Sequence, residues 1–330
     1  MNVVAHFQLK EIRFALSDED VAAVRAEIPG IEIVQPDDEA ALAHAIEAAD
    51  AFVGWHFPRE IFARAGRLRW VQTALAGVED VLFPELVESD VVLTNGAGLH
   101  STSIPEHVLA VLFALARNLH HAGRLQAEAR WGRFDVIAFA GGIRELSGSR
   151  LAILGAGPIG AALAPRARAL GMAVRVLRRR PGVPVEGAEA VVGPGALHEL
   201  LGWADFVVAA LPLTAETNGL LDRDALEAMR STAYLVNVAR GEIVDDEALV
   251  DALRRGRIAG AALDAFRTEP LPPESPFWAL PNAIVTPHVS GYAPDYFPRF
   301  VELWRDNLRR WTQRRPMRNV VDKRLGYAVA

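Results

Sequence analysis

The sequence predicts an α/β protein made of two doubly wound parallel-sheet domains. Three observations lead there. Short apolar runs alternate with stretches of helical periodicity along most of the chain, the rhythm of a parallel sheet covered by helices on both faces. A length of 330 residues exceeds what one ordinary core organises and points to two domains. Near the middle, the apolar run Leu151–Leu154 is followed at once by Gly155-Ala156-Gly157-Pro158-Ile159-Gly160, a G-x-G-x-x-G between a strand and a helix.

In the first hundred residues, strands are predicted at Asn2–Phe7, Ile31–Val34, Ala51–Val53, Trp70–Ala74 and Val91–Leu93. Helical patterns lie between them at Asp18–Ala26, Asp38–Ala48, Pro58–Ala65 and near Val81–Leu86, with Asp18 and Asp38 where N-caps or first-turn carboxylates belong. This part reads as a flavodoxin-like domain without a phosphate loop of its own. Residues 101–120 read as one long amphipathic bridging helix, with Ser103 or Thr102 as cap and Glu106 completing a capping box with Ser103. Residues 121–148 have poor periodicity and carry Trp131, Phe134 and Phe139. Such a long irregular insertion is either an arm against another subunit or an extended surface loop.

The glycine motif opens the second sheet. Gly155 permits a tight turn, Gly157 lets backbone approach a pyrophosphate, and Gly160 lets helix and strand pack closely, while the helix N-terminus favours phosphate. Strands follow at Ala173–Leu177, Phe206–Ala209, Ala233–Val238, Gly260–Asp264 and Ala283–Thr286, with helices at Pro158–Leu170, Leu197–Leu201, Arg223–Met229 and Asp246–Arg254. Residues 290–298 resemble a hinge, and residues 299–314 form a last helix able to return to the first domain.

Composition narrows the function classes. With 51% apolar and 23% charged residues the chain reads as globular, and a net charge of -6 without a basic stripe argues against nucleic acid. Zero cysteines exclude disulfides, thiolate catalysis and Cys-based metal sites, and no His/Asp/Glu group shows ligand spacing, so no metal is expected. Neither a secretory signal nor an apolar run long enough to span a bilayer is evident, so a cytoplasmic protein is the default.

Ligands of doubly wound sheets bind beyond the carboxyl ends of the strands. Arg240 follows one predicted strand in N-V-A-R-G, Asp264 ends the next with Glu269 five residues on, and His288 follows the third in T-P-H-V-S-G. Such a set suits hydride transfer to a carbonyl beside a carboxylate. A guanidinium fork grips carboxylate and carbonyl oxygens, histidine gives the alkoxide its proton, and Glu269 favours the imidazolium. His107, His120 and His121 are expected on solvated or packed helix faces away from the strand ends, without function.

Five motifs carry a resemblance: G-A-G-P-I-G at 155–160, L-P-L-T-A-E-T at 211–217, N-V-A-R-G at 237–241, D-A-F-R-T-E-P-L-P at 264–272 and T-P-H-V-S-G at 286–291. On these the chain resembles the D-isomer-specific 2-hydroxyacid dehydrogenases over nearly its whole length. The resemblance implies a Rossmann cofactor domain, residues 101–291, inserted into a split substrate domain, residues 1–100 plus 292–330, with a cleft closing on substrate. It implies Arg240, Glu269 and His288 as the catalytic set and Asp264 as a contact of the nicotinamide carboxamide. Pro158, Ile159, Leu211, Pro212, Thr217, Val238 and Ala239 fall on the family's cofactor-binding motifs. Leu75-Ala76-Gly77 matches the segment whose N–H groups hold the substrate carboxylate, with a simple tight turn as the plain alternative; Trp55, His56, Leu75 and Tyr292 are candidate pocket walls. A homodimer through the cofactor domain is also implied.

One departure bears on the cofactor. NAD-specific relatives carry an acid at the end of the second strand, for the ribose 2′-hydroxyl, where this chain has Leu177-Arg178-Arg179-Arg180 and no acid before Glu186. Arg178 and Arg179 therefore favour a 2′-phosphate, hence NADP(H) over NAD(H). Glu269 in place of glutamine speaks against the formate-dehydrogenase branch, and serine-controlled regulation is not expected without the extra domain of many phosphoglycerate dehydrogenases. The expectation is NADPH-dependent reduction of a small 2-keto acid such as glyoxylate or hydroxypyruvate. Competing readings are a non-catalytic, cofactor-sensing protein like the family's corepressors, and a dehydrogenase of an inorganic anion such as phosphite.

Overall fold

A computed structural model describes residues 1–9 and 12–328, and the chain forms two compact units, Met1–Leu99 with Ala293–Ala330, and His100–Tyr292. The first unit begins with β1 (Asn2–Leu9), β2 (Ile12–Phe14), α1 (Asp18–Glu27), β3 (Glu32–Val34), α2 (Glu39–Ala45), β4 (Ala51–Gly54), α3 (Arg59–Phe62), β5 (Trp70–Thr73), α4 (Pro84–Glu88) and β6 (Val92–Thr94). Its parallel strands run β3-β1-β4-β5-β6, the flavodoxin-like order, and β2 folds back antiparallel on β1. Alternation sorts the two faces: Val4, Phe52 and Val71 enter one core layer, Val3, Ala5, Val53 and Trp70 the other. Ser17 and Asp20 form a reciprocal cap on α1, and Asp38 caps α2.

The second unit contains α5 (Ser103–Ala116), α6 (Leu119–Ala127), α7 (Arg133–Ala138), β7 (Arg150–Leu154), α8 (Pro158–Ala169), β8 (Ala173–Leu177), β9 (Ala190–Val192), α9 (Leu197–Trp203), β10 (Phe206–Ala209), α10 (Arg223–Ala228), β11 (Tyr234–Asn237), α11 (Asp246–Arg254), β12 (Gly260–Leu263) and β13 (Ala283–Val285). Its strands are all parallel in the order β9-β8-β7-β10-β11-β12-β13. The order reverses beside β7, so the glycine motif leaves the sheet at its switch point. Ala152 and Leu154 of β7 face one core layer and Leu151 and Ile153 the other, which is why the strand reads as an unbroken apolar run. The chain then re-enters the first unit as α12 (Tyr296–Thr312), β14 (Val321–Asp322) and β15 (Tyr327–Ala328). Phe300, Val301, Trp304 and Leu308 of α12 complete that unit's core.

The two parallel sheets are those the sequence predicts, with β2 and β9 as unpredicted additions and three further local differences. The bridging helix is two helices, broken at Asn118, whose φ of 53° is left-handed. Asn tolerates that conformation, and its buried Nδ2 donates to the carbonyls of Val136 and Phe139. Nor does the capping box form: Thr102 is the N-cap without a side-chain cap bond, and Ser103 Oγ donates instead to the Gly291 carbonyl, 3.2 Å away. The segment predicted to be irregular continues α6 and then forms α7, leaving Trp131 94% and Phe134 77% exposed.

Candidate active site

Because β7, β10, β11, β12 and β13 are parallel neighbours, the loops after them emerge along one edge. Gly155 turns the chain after β7 with φ 110°, and a Cβ there would stand 2.4 Å from the Ala210 carbonyl oxygen. At Gly160 a Cβ would lie 2.0 Å from the Gly155 oxygen, so α8 approaches the turn only without a side chain. Gly157 differs: nothing lies within 4 Å of the place its Cβ would take. That open surface is at the N-cap of α8, whose first residue, Pro158, lacks an N–H. The amides of Ile159 and Gly160 are therefore first-turn donors, with no partner inside the helix. An open, side-chain-free approach to such donors fits a dinucleotide pyrophosphate.

Around this turn, Leu211 packs where a Gly155 Cβ would go, and Thr217 Oγ donates to the Pro212 carbonyl at 2.7 Å, closing the loop after β10. Val238 and Ala239 are buried after β11. At the end of β8, Arg178 donates its backbone N–H to the Val192 carbonyl and its Nη1 to the Val183 carbonyl, and Arg179 and Arg180 are exposed.

Arg240 follows β11 on a fixed backbone. Asn237 Nδ2 donates to the Arg240 carbonyl at 2.9 Å while its Oδ1 accepts from the Ala239 amide, and Arg240 Nη1 donates to the Ala239 carbonyl. The next residue, Gly241, would place a Cβ 2.0 Å from the Arg267 nitrogen. Only glycine lets this loop lie backbone-to-backbone on the segment after β12, which carries Glu269. Glu269 Oε1 accepts from the Phe266 amide at 2.9 Å, and Oε2 lies 2.8 Å from His288 Nδ1. A carboxylate can only accept, so Nδ1 carries the proton and Nε2 is the nitrogen left to face a ligand. His288 is 48% and Glu269 37% exposed, as groups at a ligand-accessible edge must be.

His288 has φ 53°, a left-handed conformation that a non-glycine residue holds only under restraint. Asp264 supplies much of that restraint. Its carbonyl accepts from the His288 amide, Oδ1 from Thr286 Oγ at 2.6 Å and from the Val289 amide, and Oδ2 from the Ser290 amide. Burial pushes this carboxyl up, but the bonds from Ser290, Thr286 and Val289 outweigh it and hold it below the usual carboxylate range. Asp264 is 2% exposed, and its carboxylate holds the turn that carries His288.

His107 departs from its expected place away from the strand ends, for its Nε2 is 3.4 Å from Thr286 Oγ. It stands beside this turn because α5 packs across β11 and β12, a placement helical spacing alone does not reveal. Thr286 and Ser290 were signalled by the same T-P-H-V-S-G that carries His288; His107 lies about 180 residues away and had no such signal. His120 and His121 remain apart, packed on Phe139. Among the described residues no group of three or more His, Asp or Glu could hold a metal ion, and no helix is long and apolar enough to cross a membrane.

In the first unit, Leu75-Ala76-Gly77 follow β5. Leu75 N–H already donates to Thr73 Oγ, and the Leu75 and Ala76 carbonyls accept from the Gly96 amide and from Asn95 Nδ2. Trp55 is buried against Tyr296, and Tyr292 of the second unit is 73% exposed.

Residues 109–290 match the family described as D-isomer specific 2-hydroxyacid dehydrogenase, NAD binding domain. The chain belongs to that family. The dehydrogenase is 34% identical over 253 residues to a glyoxylate reductase of Korarchaeum cryptofilum, covering 76% of this chain and 74% of the relative. A D-isomer specific 2-hydroxyacid dehydrogenase from Xanthobacter autotrophicus Py2, solved with NADPH and MES, superposes with a TM-score of 0.83 at 32% identity over 98% of this chain and 99% of that one. An NADPH-dependent glyoxylate/hydroxypyruvate reductase from Sinorhizobium meliloti, solved with NADP and sulfate, gives 0.83 at 27% identity over 99% of each. The dehydrogenase is thus an oxidoreductase with an NAD(P)-binding Rossmann domain.

Proposed function

We propose that the dehydrogenase reduces a small 2-keto acid of the glyoxylate or hydroxypyruvate kind to the D-2-hydroxy acid, with NADPH as reductant. One observation carries the chemistry: His288 Nδ1 against Glu269 Oε2 at 2.8 Å, on a turn fixed beyond the same sheet edge as the glycine motif. A dihydronicotinamide dinucleotide held at the glycine turn would supply the hydride for the keto carbon. Arg240 holds the carboxylate and carbonyl oxygens with its planar fork, drawing electron density toward the carbonyl oxygen. His288 Nε2–H gives its proton to that oxygen, and Glu269 stabilises the imidazolium beforehand and keeps Nε2 aimed. In the reverse direction neutral His288 takes the hydroxyl proton. For the first unit we assign carboxylate binding to the amides of Ala76 and Gly77, since that of Leu75 is engaged with Thr73.

The cofactor choice rests on Arg178 and Arg179 at the end of β8, where no carboxylate stands for a ribose 2′-hydroxyl. The two structural relatives solved with NADPH or NADP support it. A panel of 2-keto acids assayed with both NADPH and NADH tests the whole reading. NADPH oxidation with glyoxylate or hydroxypyruvate is expected, with kcat/KM higher than for NADH, and Arg178→Asp reverses that order by removing the phosphate's partner and offering the hydroxyl an acceptor. A clear NADH preference of the native protein refutes the cofactor assignment; no turnover with any 2-keto acid refutes the activity.

We further assign a homodimer through the second unit. Trp131, Phe134 and Ile137 stand exposed around α7, an apolar patch that a second copy would cover. Sedimentation of Trp131→Glu with Phe134→Glu is expected to show monomers where the native protein shows dimers; an unchanged dimer places the interface elsewhere.

A further inference from the structure

The turn that carries His288 is held from two ends, and Asp264 accounts for only one. At the other end the Gly291 carbonyl meets two groups from the start of the second unit: His100 Nδ1 at 3.0 Å and Ser103 Oγ at 3.2 Å. A carbonyl can only accept, so Nδ1 is the protonated nitrogen of His100. The contact is also steric. A Cβ on Gly291 would stand 2.9 Å from both Cε1 and Nδ1 of His100, so the imidazole lies against a backbone that has no side chain to keep it off. Gly291 is not among the left-handed glycines, so backbone conformation does not demand glycine here; the ring does.

We propose that His100 is a positioning residue for the proton donor, clasping Gly291 so that the His288 turn keeps its left-handed conformation. The proposal rests on the reading of His288 as that donor. Restraint is needed because relaxing φ at His288 would swing the imidazole off Glu269, and a displacement of about 1 Å at a reacting group can cost about a hundredfold in rate. Asp264 ties residues 286, 288, 289 and 290, and His100 with Ser103 ties residue 291, so the turn is fixed on both sides of its strained residue. Burial, against the pull of the Gly291 carbonyl, and then the charges of Arg240 and His288 keep His100 below the ordinary imidazole range. His100 thus acts as a neutral hydrogen-bond donor and adds no competing proton donor.

A double-mutant cycle separates positioning from general packing. His100→Ala and Gly291→Ala are each expected to lower kcat about tenfold with substrate KM little changed, by analogy with other supporting contacts. The double variant should be no worse than His100→Ala, because the added methyl then has no ring to displace. His100→Asn, whose amide nitrogen can replace Nδ1, should recover most of kcat. Additive losses, unaltered turnover in His100→Ala, or an Asn variant no better than Ala overturns the proposal. A crystal structure of His100→Ala serves as the readout independent of turnover: a His288 turn that keeps its conformation and its Glu269 bond also overturns it. If the native protein reduces no 2-keto acid, the functional reading fails, and the crystal structure alone then decides whether His100 holds the turn.

Discussion

His288→Asn is expected to lower kcat by roughly 10²–10⁴-fold, the usual worth of a positioned general acid, while leaving NADPH affinity near its native value. The separation follows from placement. His288 lies beyond β13, at one end of the sheet order, whereas the glycine turn leaves β7, with β12, β11 and β10 between them. Asparagine can still approach Glu269 through its amide and preserve much of the local packing, but it supplies no acid proton to the alkoxide. Turnover, with cofactor binding followed by fluorescence titration, checks both halves. Near-native kcat would move the proton donor to another group; a parallel loss of NADPH binding would mean that the substitution had damaged the unit.

Fold legibility in this sequence follows how much of each element is buried. Strands packed on both faces, such as Leu151–Leu154 and Phe206–Ala209, must be apolar throughout and announce themselves. Strand β2, a short antiparallel addition, and β9, at the edge of the second sheet, carry little periodic signal. The break at Asn118 was hidden because the residues around it keep a helical pattern and only tertiary partners, the Val136 and Phe139 carbonyls, make the left-handed turn favourable. For the site, Arg240, Glu269 and His288 were legible because each lies just past a recognisable strand. Asp264 was legible in position, but its grip on the turn was not, because the amides it holds, those of Val289 and Ser290, lie about 25 residues on. His100 and His107 were beyond reach because their partners, Gly291 and Thr286, lie 191 and 179 residues later, and no local pattern encodes that distance.

Arg240→Lys carries the second large expected effect, and its test separates charge from geometry. Lysine keeps the positive charge but replaces a planar fork with a single ammonium, so one charged hydrogen bond to the substrate is lost, worth about 1.5–3 kcal/mol. That corresponds to a fall in kcat/KM of about 10–100-fold. Both parameters should move. The carboxylate is bound in ground and transition states alike, which raises KM, whereas the carbonyl oxygen gains charge only as hydride arrives, which lowers kcat. Fold stability should change little, because Asn237 fixes the backbone at this position through the Arg240 carbonyl and the Ala239 amide, and stays in place when the bond from Arg240 Nη1 to the Ala239 carbonyl is lost. Steady-state kinetics with a melting curve on the same preparation distinguishes the outcomes. A drop in kcat/KM at unaltered Tm supports the fork. Unaltered kinetics would show that charge suffices, which is incompatible with Arg240 gripping two substrate oxygens at once.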